Sequence, residues 1–142
     1  MSAGFPIGRA AEQSGVKVPT IRYYEEIGLL PAPPRTGSNR RLYGDDELKR
    51  LAFIRHAREL GFDVDAIRTL LSLQDNPQQS CAAADAIARD RLLEVRARIS
   101  RLRALERELE RMADNCAHGH VGECRVIEIL ADGTHEHGRL GD

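Results

Sequence analysis

Residues 82–112, AAADAIARDRLLEVRARISRLRALERELERM, run without a proline or a glycine. Leu92, Val95, Ile99, Leu102 and Leu109 recur along this stretch at the a/d spacing of a coiled coil, which predicts one uninterrupted helix with an apolar seam. Cys81 stands just before it, and Cys116 and Cys124 follow it. At a rise of about 1.5 Å per residue the helix would hold Cys81 roughly 45 Å from the other two thiols, so one chain cannot gather all three. An antiparallel partner can. Each chain's Cys81 would then face the other chain's Cys116/Cys124 loop, giving two equivalent three-thiol sites per dimer.

Working outward from that helix, the composition agrees with a small core and a long arm. The chain has 142 residues, only 4% are aromatic, Trp is absent and 30% are charged. The net charge of −1 hides an asymmetry: residues 1–60 sum to +3 and residues 61–142 to −4. A basic head on an acidic arm suits a protein that engages nucleic acid with one part only, although charge alone leaves ordinary surface scatter as an equal alternative. The first twenty residues contain no apolar run resembling a signal peptide, and no stretch approaches membrane-spanning length, so the expected location is cytoplasmic with no membrane partner. In that compartment an odd set of three cysteines points to metal or redox chemistry before a disulfide framework.

Four short helical units are predicted ahead of the long helix. Ile7 to Ser14 has helical composition and stops at Gly15, and Pro19 suits the first turn of a segment that runs to Gly28. Two short helices joined by a tight glycine-containing turn are a helix-turn-helix candidate. Residues 30–44, LPAPPRTGSNRRLYG, read as a loop or two-stranded wing. Asp45 is expected to cap a third helix through Leu60, ended by Gly61, and a fourth covers about Val64 to Leu73. DNPQQS then breaks the chain, with Ser80 as N-cap of the long helix. Val126, Ile127, Ile129 and Leu130 fit one or two helical turns, and the tail from Gly133 reads as disordered.

Thr20, Arg22, Tyr23 and Tyr24 fall along the second helix, and Arg35, Arg40, Arg41 and Tyr43 fall in the wing. Cations and hydroxyls that clamp phosphates, on an element narrow enough for the major groove, are what duplex DNA requires. Either tyrosine taken singly could instead pack into the small core.

The stretch IRYYEEIGLLPAPPRTGSNRRLYGDDELKRLAFIRHARELGF closely resembles the N-terminal signature of the MerR family of transcriptional regulators. It holds a recognition helix with RYYE, a GLL turn, a wing ending in an Arg-x-Tyr element, and a helix rich in Leu, Ile and Arg. The likeness continues through the long helix and the Cys116 to Cys124 loop. Many relatives have Gly-Tyr-Arg in the wing where this chain has Asn39-Arg40-Arg41, which places Arg41 on the family's wing arginine and Arg40 where an aromatic is usual.

The resemblance implies a mainly α fold: a winged helix-turn-helix DNA-binding head over residues 1–75, an antiparallel coiled-coil dimerisation helix over 80–112, a metal-binding loop and short helix over 113–131, and a tail over 132–142. It further implies a homodimer on double-stranded, palindromic promoter DNA whose spacer is too long for RNA polymerase to engage both recognition hexamers. Effector binding would bend and untwist that DNA, so that the metal-bound dimer activates.

Thiolates are soft ligands, so Cys81 from the partner chain with Cys116 and Cys124 favours Zn, Cd, Pb, Hg or Cu(I) over Mg, Ca or Mn. In related sensors the first position is Ser where the ligand is monovalent copper and Cys where it is divalent, so Cys81 points to a divalent soft ion as effector. The interval between Cys116 and Cys124 also occurs in copper sensors, which keeps a copper or silver response open. His118 and His120 could complete a four-coordinate site, or be ordinary loop histidines. His135 and His137 could form an auxiliary site in the tail, while His56 reads as structural or surface. Ligand thiols must lose their protons, so affinity should fall at low pH.

A thiol redox regulator using Cys116 and Cys124 as a reversible disulfide is an alternative on the same scaffold. A metal buffer would explain the thiols but leave the head idle. Catalysis is disfavoured, because no phosphate-cradling glycine loop or paired-carboxylate arrangement is present.

Overall fold

The computed structural model describes residues 4–32, 42–114 and 119–133. The predicted wing residues 33–41 and the tail from 134 lie outside them, as do residues 115–118. The order of elements is α1 (Ile7–Ser14), α2 (Val18–Glu26), α3 (Asp45–Glu59), α4 (Val64–Gln74), α5 (Ala82–Asp114), a 3-10 turn (Val121–Glu123) and α6 (Arg125–Asp132). All four short helices and the long one appear within about two residues of where glycine, proline and capping signals place them.

Each boundary has a local cause. Gly15, at φ 74°, closes α1 by donating its N–H to the Ala11 carbonyl. Pro19 sits in the first turn of α2, where its missing N–H has no helical partner to lose. Gly28, at φ 78°, turns the chain after α2, and Leu29 and Leu30 then donate to the Tyr24 carbonyl at 2.9 and 3.2 Å. The cap of α3 differs from expectation. Gly44, not Asp45, holds the N-cap position, and its N–H donates to the Glu47 carboxylate at 2.9 Å. Asp45 instead joins Asp46 and Glu47 as the acidic first turn that suits the positive end of the helix dipole. Asp63 caps α4 through Ala66 N–H at 2.8 Å, and Ser80 accepts from Ala82 N–H at 3.1 Å at the head of α5.

The chain divides into two compact units, Met1–Ala88 and Arg89–Asp142. In the first, α1 packs on α2 and α3, and α3 packs on α4. Ile21, Leu29, Leu30, Leu51, Ile54, Ile67 and Leu71 are all essentially inaccessible to solvent and form one core with Ala10, Tyr24 and Tyr43. At about 1.5–3 kcal/mol for each buried side chain, this cluster is the main stabilising term of the head. Among the described residues the only extended pairing is an isolated antiparallel bridge, in which Phe5 and Tyr43 exchange two 2.7 Å backbone hydrogen bonds. It fastens Tyr43, two residues before α3, to the start of the chain.

The second unit contains most of α5, the 3-10 turn and α6. Of the predicted seam, Leu92, Ile99, Leu102 and Leu109 are 41–53% exposed in the single chain and Val95 is half-buried. Among the described residues no helix is long and apolar enough to cross a membrane.

Candidate DNA interface and metal centre

Helix α2 divides its residues between solvent and core in the manner a groove-reading helix would need. Arg22 is exposed, Tyr23 is 50% exposed, and Thr20 is half-buried beside them. Pro19 and the Lys17 N-cap set the start of this helix, and the exposed Lys17 adds a cation at the same end. Sequence reasoning did not single out Lys17; its position one residue before α2 is the signal that could have found it.

Tyr24 and Tyr43 are placed otherwise than the groove reading expects. Tyr24 is 7% exposed and Tyr43 is fully buried, both within the core of the head. The Tyr24 ring lies 6.1 Å from that of Tyr23 at a tilt of 48°, so two neighbouring residues of one helix face opposite environments. The Tyr43 hydroxyl donates to the Glu25 carboxylate of α2. The phenol is thus buried and engaged within the head, where it holds α2 against the residues that lead into α3. Arg35, Arg40 and Arg41 lie outside the described residues. Further along the head, the Arg9 guanidinium lies 5.4 Å from the centroid of the Phe5 ring, which braces the strand-like start of the chain.

Two of the three thiols are described, and each immediately precedes a helix. Cys81 is exposed, and its carbonyl accepts the Asp85 N–H at 2.9 Å in the first turn of α5. Cys124 is half-buried at the N-cap of α6; its N–H donates to the Val121 carbonyl and its carbonyl accepts from Glu128, each at 3.0 Å. Both cysteines thus stand at a helix start. Cys81 belongs to the first compact unit and Cys124 to the second. His120 is exposed just before the 3-10 turn that ends at Cys124, so imidazole and thiol bracket the same turn. Cys116, His118, His135 and His137 lie outside the described residues, and among the described residues no cluster of three or more His, Cys, Asp or Glu forms. His56 is an exposed residue of α3, as expected of a surface position. The donor set, thiols with an imidazole close in sequence, fits soft or borderline ions and not hard ones.

Comparison with known proteins gives these features a common frame. Residues 5–74 match the family described as MerR HTH family regulatory protein, and residues 48–112 the family described as MerR, DNA binding. The HTH-type transcriptional regulator ZntR of Escherichia coli is 41% identical over 134 residues, which cover 92% of this chain and 94% of that protein. Heavy metal-dependent transcription regulator 2 of Rhizobium meliloti is 37% identical, covering 90% and 87% of the two chains. Among solved structures, the transcription regulator PbrR691 from Ralstonia metallidurans in complex with lead(II) superposes with a TM-score of 0.76 at 38% identity, covering 89% of this chain and 98% of that one. These relatives are transcriptional regulators and not enzymes. With both halves of the helix-turn-helix head and the long helix matched, the chain belongs to the MerR family of helix-turn-helix transcriptional regulators.

Proposed function

We propose that this chain is a metal-responsive regulator that binds a palindromic promoter as a homodimer and activates transcription when a divalent soft ion is held by Cys116, Cys124 and the partner subunit's Cys81. One observation carries this reading. Two thiols stand at helix starts on either side of a 33-residue helix whose apolar seam is exposed in the single chain. A seam of that kind calls for a second helix, and an antiparallel one would bring each Cys81 to the opposite chain's Cys124. The likeness to a lead-bound regulator, and to a Bacillus megaterium MerR structure in complex with mercury(II) at 30% identity, favours a divalent, thiophilic effector.

On this reading the ion's role is electrostatic and geometric. It offsets the repulsion of gathered thiolates and ties the loop of one chain to the helix start of the other. Only a difference in affinity for two dimer conformers can do work on DNA: moving a 1:99 population to 99:1 requires about 5.5 kcal/mol of differential binding. Thr20, Arg22 and Tyr23, with the wing arginines Arg35, Arg40 and Arg41, hold the promoter. The differential energy is spent on bending and untwisting it so that RNA polymerase can engage.

Titrating the purified dimer with Zn, Cd, Pb and Hg under a competing chelator tests the reading, together with Cys81→Ala. Two tightly held ions per dimer and loss of metal-dependent transcription in C81A support it. A C81A variant with full metal-dependent transcription overturns it, and a response to oxidant without metal, or to silver alone, assigns the thiols to the alternative chemistries.

A further inference from the structure

Arg50 of α3 reaches two distant points of the chain at once. Its Nε donates to the carbonyl of Leu29, 21 residues before it, at 3.0 Å. Its Nη1 donates to both carboxylate oxygens of Asp75, 25 residues after it, at 3.3 and 3.2 Å. Leu29 belongs to the turn that closes recognition helix α2. Asp75 caps the C-terminus of α4 and opens the 75–81 segment that leads to Cys81 and α5. A single guanidinium therefore ties the back of the DNA-reading helix to the point where the chain leaves the head.

The bond is placed for control more than for stability. Arg55–Glu59, Arg91–Glu94 and Arg111–Glu108 each close within one helix, whereas Arg50–Asp75 crosses between two. The Arg50 side chain is 23% exposed and that of Asp75 55%, and both border an open cleft of about 350 Å³ with Pro31, Lys49 and Gln74. An ion pair in contact with water adds little to folding and can break without opening the core. The planar fork is what allows donation in two directions, a geometry that lysine lacks.

We propose that Arg50 is a positioning residue for the metal response, a strut through which movement of the segment before Cys81 is passed to the recognition helix. This rests on the regulator reading above. The test uses the full-length dimer with Pb(II) and Zn(II) in parallel, and compares R50A, R50K, D75A and R50A/D75A. Each alanine variant should lower the ratio of metal-on to metal-off transcription by at least about fivefold, with ions bound per dimer unchanged. The double variant should lose no more than either single one, because both remove the same link, and R50K should fall between R50A and the wild type. In the metal-free protein, D75A should speed amide exchange at Leu29 and Leu30, which Asp75 does not touch. A wild-type ratio in R50A, fully additive losses, or unchanged exchange at Leu29 and Leu30 in D75A would each overturn the strut. If the wild type binds its promoter but answers neither metal, the regulator reading fails on its own account, and the exchange measurement still decides whether the strut transmits.

Discussion

The head and the arm dispose of their apolar residues in opposite ways. In the head, Leu51, Ile54, Ile67 and Leu71 are no more than 1% exposed, sealed by helices of the same chain. On α5, Leu92, Ile99, Leu102 and Leu109 have the same chemistry but stay 41–53% exposed. The head is thus a complete fold by itself, while the arm carries an unfinished one. The same hydrophobic effect that closes the first leaves the second with apolar surface that the proposed dimer would cover.

That contrast can be broken from either side. The largest effect is expected from Ile54→Ala, which should destabilise the head by about 2–5 kcal/mol in thermal or denaturant unfolding, because a fully buried site leaves a cavity. Leu102→Lys on the seam should leave the head's unfolding midpoint in place yet raise the dimer dissociation constant by roughly a hundredfold, about 2.7 kcal/mol, as read by sedimentation equilibrium. A seam variant that melts the head, or stays dimeric, would erase the distinction. Tyr43→Phe removes the hydroxyl that donates to Glu25 and should cost about 1.5–3 kcal/mol in head stability with the dimer constant unchanged. The smallest effect is set for Asp63→Ala, which loses the α4 cap at about 1 kcal/mol in the same unfolding measurement.

The helices were legible because their causes are local. Gly15, Pro19, Gly28, Gly61 and Ser80 act within one turn of where they stand, and the a/d spacing of α5 needs no tertiary information. The Gly44 cap was missed because a glycine N–H served by Glu47 leaves no capping side chain to see, whereas Asp45 looks like a cap by type. The roles of Tyr24 and Tyr43 were only half legible. Residue type marks both as groove-capable, and only packing across the head shows that they are inside it. Arg50 gave no signal, since its partners are remote in the chain and its local sequence is that of any solvated helix. For the thiols, spacing along α5 made sharing between chains the natural expectation. The described residues add that Cys81 and Cys124 both begin helices, a placement that residue counting alone does not reveal.

The junction at Tyr43 has a mechanical consequence. Its backbone is stitched to Phe5 and its hydroxyl to Glu25, so the lead-in to α3, the start of the chain and α2 meet at one rivet. Any displacement of Tyr43 is therefore delivered both to the start of the chain and, through a stiff aromatic ring, to α2.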